Sequence, residues 1–318
     1  MNRPAAGVAL LLALCAGGQS HAHGETIAVF TKNQGPIFAA LRAGAAVAAK
    51  NLGVQLINYV PSTPDSVAEQ NKLVDDAIKD KPDAIVFVPI MFTEAESAVN
   101  KINAAQIPLV NVNEPLVNAS VVGYVGTNDV SLARETGRYL LKAMNGNGNV
   151  VILDGPDKSF SAEGRGQGFR DVIKEFPDVK LLDGKPANYQ RAQAKQVVAG
   201  FLSKFAHVDG ILAANDPMAI GAVDALKAAK QKALVVGINA SREVMDFIKS
   251  GDIVGSGDYD TFAQGCLAVE MAVRSVRKQD VPRELILKPT VIDKTNYAPF
   301  DQPLDKRECP TLTNVDRQ

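Results

Sequence analysis

The chain has 318 residues, 46% hydrophobic and 22% charged, an ordinary globular balance in a length greater than one hydrophobic core usually serves. Its 34 lysines and arginines offset 35 aspartates and glutamates, for a net charge of −1, so there is no electrostatic footprint for nucleic acid or a membrane surface. It has no tryptophan, no CxxC and no histidine cluster; a transition-metal site is not expected, and any stacking platform must be Phe or Tyr.

Residues 1–22 read as a secretory signal. Arg3 follows the amino terminus, Ala5 to Ala16 form a short apolar stretch, and Ser20-His21-Ala22 is a small-x-small exit. The stretch is too short to span a bilayer, and Leu14 stands where a lipoprotein signal needs a small residue before Cys15. After cleavage Cys266 and Cys309 remain. They either pair in an oxidising compartment, clipping the tail to the body, or stay as a helix thiol and a tail thiol; their spacing does not decide.

Strands are expected at 27–30, 54–60, 84–88, 108–112 and 121–125, with helices at 37–52, 65–79 (capped by Asp65) and 94–105 between them. A helix over 129–144 opens a second round. Strands follow at 149–153, 179–182, 210–213, 234–237 and 253–255, with helices at 164–175, 190–205, 217–228, 242–249 and 261–277. Short apolar strands alternating with amphipathic helices predict parallel, doubly wound α/β sheets. Ligands of such sheets sit beyond the carboxyl ends of the strands. Those ends are polar here: Lys32, Asn33 and Gln34; Asn113 and Glu114; Asp154; Asn215 and Asp216; Asn239; Asp258. Carboxylates and amides suit a polyhydroxylated ligand, since one carboxylate accepts from two neighbouring hydroxyls. Asp216 reads as the N-cap of the next helix or as a ligand contact, Asp154 as a turn with Gly155-Pro156 or a contact.

The stretch Asn215-Asp216-Pro217-Met218-Ala219-Ile220-Gly221-Ala222 resembles the N-D-x-M-A-x-G-A signature of type I periplasmic binding proteins. The nearest group is the ribose-binding-protein-like (LacI-like) sugar-binding family of ABC importers. Thr26-Ile27-Ala28-Val29 and Val235-Val236-Gly237-Ile238-Asn239 resemble its other markers, and the similarity runs from Thr26 to Ile292. It implies two Rossmann-like α/β domains joined by a three-segment hinge: 23–126 with 259–290, and 127–258 with 291–318. Gly255 and Gly257 would give the second crossing its backbone freedom.

The resemblance also implies ligand residues. Gly35-Pro36-Ile37-Phe38 matches a first-loop segment in which two aromatics follow proline; Ile37 replaces one and Phe38 keeps the other. Lys32 resembles the first-loop lysine of autoinducer-2 and rhamnose binders, and Asn33 lies beside it. Asn113-Glu114 falls where ribose binders carry Asp-Arg, and Glu163 where they carry arginine, ahead of Arg165-Gly166-Gln167-Gly168-Phe169. Tyr189 matches a sugar-stacking aromatic, Asn215 and Asn239 match polar contacts, and Tyr259, or Asp258 with a one-residue shift, matches a glutamine; Tyr259 also reads as hinge packing. With two arginines replaced by acids, a plain aldopentose site is not expected; another sugar or polyol is, with a cationic ligand such as an amino sugar as the sharper alternative.

No GxGxxG follows the first strand, and there is no P-loop or GxSxG, so an enzyme is not expected, nor a cofactor or metal. The export signal occupies the place a repressor's DNA-binding domain would need. The expectation is a monomeric periplasmic solute-binding protein that closes on a sugar or polyol and delivers it to a membrane ABC permease. The alternative is a secreted sensor that carries a sugar-like or cationic signal to a receptor.

Overall fold

The computed structural model describes residues 24–91, 93–157 and 159–318; the expected signal at 1–22 lies outside them. In chain order the strands are β1 (Thr26–Phe30), β2 (Gln55–Tyr59), β3 (Ala84–Phe87), β4 (Leu109–Val112), β5 (Gly123–Thr127), β6 (Asn147–Asp154), β7 (Asp178–Pro186), β8 (Gly210–Ala213), β9 (Leu234–Ile238), β10 (Gly255–Asp258), β11 (Glu284–Leu287) and β12 (Thr290–Ile292). The helices are α1 (Pro36–Leu52), α2 (Val67–Asp80), α3 (Glu96–Ala104), α4 (Asp129–Ala143), α5 (Phe160–Ile173), α6 (Arg191–Lys204), α7 (Asp216–Ala229), α8 (Met245–Ser250) and α9 (Thr261–Val276).

They build two sheets, ordered β11-β5-β4-β3-β1-β2 and β12-β10-β9-β8-β6-β7. All pairings are parallel except β10 with β12. Along β1, Ile27 and Val29 join one core with Leu41 of α1 and Phe262 and Leu267 of α9. Ala28 and Phe30 join the other, with Val74 and Ala77 of α2 and Ile102 of α3. That alternation buries both faces, so the strands read as continuous apolar runs. Each fully buried Leu, Ile or Phe contributes about 1.5–3 kcal/mol.

Small residues set how closely the layers approach. A Cβ on Gly44 of α1 would lie 2.0 Å from the Phe262 carbonyl oxygen, and one on Gly265 of α9 would lie 2.0 Å from that of Leu41. Gly168 meets α4 in the same way, 2.3 Å from the Val130 carbonyl oxygen. The Gly164/Gly166/Gly168 run therefore lies inside α5, which starts at Phe160 with Ser159 as its cap, rather than opening a helix at 164. Likewise Ser66, not Asp65, caps α2: its hydroxyl accepts from the Glu69 amide while Asp65 turns at φ 58°.

Gly255 and Gly257, expected to loosen the second crossing, lie within a strand ahead of it. They belong to the buried strand β10, and a Cβ on Gly257 would stand 2.2 Å from Thr136 Oγ1 of α4. Their small size lets α4 lie on the sheet. The chain crosses between sheets after Thr127, after Asp258 and, between β11 and β12, at Lys288-Pro289, slightly ahead of the expected third crossing because Thr290 already pairs with Asp258.

The tail expected on the second domain divides between the two. Tyr297 and Phe300 pack on the second core, whereas Leu304, Cys309, Leu312 and Val315 pack on the first. Cys309 is disulfide-bonded to Cys266 of α9, Cα–Cα 5.6 Å, and Gln318 N donates to the Ile286 carbonyl at 3.0 Å. The tail's apolar spacing follows no helix or strand period, so only the tertiary fold shows which core it joins.

Gly257→Ala is expected to cost about 1–3 kcal/mol by overpacking β10 against α4. The urea midpoint should fall with an unchanged m-value, and an unchanged midpoint would show that α4 yields freely.

Candidate functional site

The carboxyl ends of both sheets carry polar lips. On the first lobe, β1 runs into a loop that Arg42 of α1 staples through Thr31 Oγ1 (2.8 Å), the Asn33 carbonyl (3.0 Å) and Gln34 Oε1 (2.9 Å). This presents Lys32, whose Nζ lies 2.5 Å from Glu114 Oε1 at the end of β4; the two side chains keep only 12% and 13% exposure. Asn113 beside it is buried, with φ 75°. Its Nδ2 donates to Gln264 Oε1 of α9 at 3.2 Å.

On the second lobe Asn215 ends β8 and caps α7. Its Oδ1 accepts from the Met218 amide at 3.0 Å and its Nδ2 donates to the Tyr189 carbonyl at 3.3 Å. The cap is therefore Asn215 rather than Asp216. Asp216 is fully buried and ties three strand ends together, accepting from the Ser256 hydroxyl (2.6 Å) and the Ser241 amide (2.7 Å). Burial pushes its carboxyl up to about 6, against those hydrogen bonds. Tyr189 turns its ring into the lip at φ 60°, over Gly155. Asn239 ends β9 at φ 124°, and its side-chain amide makes no hydrogen bond among the described residues. Left-handed conformations cost non-glycine residues energy and gather at functional sites; here Asn113, Tyr189 and Asn239 all adopt them.

Between the lips stands Arg165 of α5, which family motifs suggested only as part of a shared run. It is 5% exposed; its Nε donates to Asp129 Oδ1 at 2.7 Å and its Nη1 to the Ala214 carbonyl at 2.8 Å. Its guanidinium carbon lies 5.8 Å from the Tyr189 ring centre and 5.0 Å from that of Tyr259. Burial works against the Arg165 charge, but Asp129 holds it fully protonated; burial raises the Asp129 carboxyl, which Arg165 keeps paired. Asp129 Oδ2 is buried with no hydrogen-bond partner among the described residues. Asp129 also feels Glu114 and Lys32 of the other lobe. Two ion pairs, Lys32–Glu114 on one lobe and Arg165–Asp129 on the other, are thus close enough to influence one another, and each balances its own charge.

The periplasmic binding protein domain family matches residues 27–280. The chain belongs to that family. It is 32% identical to a D-apiose import binding protein of Paraburkholderia graminis over 86% of this chain and 89% of that protein. It is 29% identical to a xylitol-binding protein of Mycolicibacterium smegmatis, over 92% and 84%. A solved ABC transporter periplasmic solute-binding protein of Actinobacillus succinogenes with bound D-allose is 30% identical, with a TM-score of 0.81 over 86% of this chain and 99% of that one. Membership implies a periplasmic location and a family of binding proteins.

The periplasmic binding fold brings Lys32, Asn113, Glu114, Tyr189, Asn215, Asn239, Asp258 and Tyr259 to the lips or crossings. Three expected contacts are placed differently. Glu163 is exposed on α5 and lines a recess of about 410 Å³ with Asp154, Asp157, Gln167 and Arg170, all second-lobe residues; a helix that starts at Phe160 turns position 163 away from the face bearing Arg165. Asn33 organises its own loop, donating to Asp65 Oδ1 (2.9 Å) and accepting from the Gly35 amide (2.8 Å). Phe38 packs partly buried against the first core, because it follows the first turn of α1 onto the sheet. Asp154, the turn-or-contact residue, is held by Arg170 (2.7 and 2.9 Å). Tyr259 is 4% exposed and contributes its carbonyl to the hinge, accepting from Thr127 Oγ1 (2.9 Å) and Gln264 Nε2 (2.7 Å). Burial and the neighbouring Asp260 raise the Asp258 carboxyl well above the usual range. Sequence pattern alone does not mark Asp129 or Gln264 as site residues; a charged residue four before the phenylalanine of a glycine-rich helix is the signal that points to Arg165.

Two outcomes follow. Asp216 is more proton-hungry in the fold than in the unfolded chain, so its contribution is full below the ordinary 3.8 and lost as pH rises through about 6. That span corresponds to about 3 kcal/mol. Urea titrations should show wild type gaining about that much on Asp216→Asn as pH drops from about 7 to about 4; parallel profiles would refute it. Asn215→Ala should lower stability by about 1 kcal/mol through the lost cap, whereas Asn239→Ala, which loses no side-chain hydrogen bond among the described residues, should cost less in the same thermal melting experiment.

Proposed function

We propose that the protein captures a neutral sugar or polyol between its two lobes, closes on it, and presents the closed form to a membrane ABC permease. The observation that carries this reading is the charge balance of the lips. Lys32 is matched by Glu114 and Arg165 by Asp129, so both cations of the lips carry their own counter-charge and the site offers donors and acceptors together. A polyhydroxylated ligand uses both, since each hydroxyl donates once and accepts twice. The Tyr189 face, beside Arg165, adds an apolar surface for C–H groups. The similarity to proteins named for xylitol and D-apiose, and to one solved with D-allose, supports the same class.

Ligand acts by population shift: contacts to both lobes exist together only in the closed form, so binding favours closure. No covalent step is required. The amino-terminal export signal fits delivery to the periplasm, where a permease partner would meet the protein. A cationic ligand finds little support, because Glu114 already has its counter-charge and Glu163 lies exposed in a recess of the second lobe.

Thermal melting of the mature protein against pentoses, hexoses, polyols, inositols, sugar acids and amines tests the reading. A ligand at a hundred times its dissociation constant adds about 2.7 kcal/mol. Stabilisation by a neutral sugar or polyol is expected; a response confined to amines or acids would overturn the proposal. With that ligand, Glu114→Gln should weaken binding about 10- to 100-fold by leaving Lys32 unpaired in the site, as read by calorimetric titration.

A further inference from the structure

The second crossing is accompanied by a connection that the three hinge strands do not account for. Residues 293–301 are fastened to the second lobe: Asp293 Oδ2 accepts from the Tyr139 hydroxyl at 2.9 Å, Phe300 packs on that lobe's core, and Asp301 pairs with Lys249 at 3.0 Å and Arg242 at 3.1 Å. Nine residues after Phe300, the chain is fastened to the first lobe by the Cys266–Cys309 disulfide, and the Leu312 amide then donates to Glu270 Oε2 of α9 at 2.9 Å. The tail therefore bridges the lobes a fourth time, with one end covalently held.

Arg307 lies in the middle of that bridge. Its guanidinium carbon is 4.8 Å from the ring centre of Phe300, held on the second lobe, and 4.6 Å from that of Phe262, on α9 of the first. Its Nη2 lies 3.4 Å from Asp260 Oδ1. Asp260 follows the second crossing directly, at φ 44°, and caps α9 by accepting from the Ala263 amide at 3.0 Å. A rotation of the lobes about the crossings must slide one ring off the guanidinium or stretch the bridge.

We propose that the carboxyl-terminal segment is a strap across the hinge, pinned by Arg307 between the two rings, that holds the lobes toward the arrangement in which Lys32–Glu114 faces Arg165–Asp129. Arg307 is a positioning residue: it touches the hinge carboxylate Asp260 and sets how often the lobes stand apart. Two cation–π contacts and a partly shielded ion pair make the open-to-closed ratio of the ligand-free protein rise roughly tenfold when they are lost.

The experiment needs no ligand, so its outcome is independent of which solute binds. Small-angle X-ray scattering of the ligand-free mature protein, fitted as a mixture of open and closed forms, is compared for wild type, Arg307→Ala and Arg307→Lys. The alanine variant should shift toward the open form with a larger radius of gyration, and lysine, which keeps the charge between the rings, should restore most of the wild-type curve. Superimposable wild-type and alanine curves overturn the proposal, as does a lysine variant as open as alanine. If Arg307→Ala does not fold, wild-type protein before and after reduction of the disulfide decides: expansion on reduction supports the strap, and an unchanged curve overturns it.

Discussion

Everything at the site hangs on a small buried hydrogen-bond network where the chain first passes between lobes. Gln264, fully buried on α9, donates to the Tyr259 carbonyl at 2.7 Å and to Thr127 Oγ1 at 3.2 Å, and accepts from Asn113 at 3.2 Å. Thr127 in turn donates to the Tyr259 carbonyl. One amide thus joins the first crossing, the second crossing and the lip of β4. A buried polar network is costly when any member lacks a partner and rigid when all are satisfied. This one is satisfied, so it fixes the two crossings against each other and Asn113 keeps its left-handed turn.

From that point the lips acquire their chemistry by economy rather than by accumulation of charge. At the strand ends, polar residues are first spent on holding the structure. Asn33 closes its loop and Lys32 faces Glu114. Asp216 ties β8 to the β9 and β10 ends, while Asn215 caps the helix at the surface of the lip. Burying a lone charge is expensive, and pairing it with a hydrogen-bonded counter-charge offsets much of that cost. The two ion pairs meet this requirement within their own lobes, so neither lobe depends on the other for a counter-ion. Each lobe therefore keeps its charges paired whatever the other lobe does.

The class of fold is legible in the sequence alone, because apolar strands and amphipathic helices differ in period and alternate from Thr26 to Ile238, save for the direct passage from β4 to β5. The sequence also locates the lips, since polar residues that directly follow apolar strands can only lie at strand ends. Helix caps were legible only to within a residue, because Asp65 and Ser66, or Asn215 and Asp216, are equally good acceptors until the backbone angle of each is known. Tertiary structure decided the rest. Whether a glycine serves a hinge or a close approach depends on what lies opposite it, and Thr136 opposite Gly257 is 121 positions away in the chain. Whether Glu163 or Arg165 faces the other lobe depends on where α5 begins. The tail's division between two cores, and the sandwiching of Arg307 between Phe262 and Phe300, come from long-range packing of segments with no periodicity of their own. Local pattern encodes which elements form, whereas contact between distant elements determines which of their side chains are left to work.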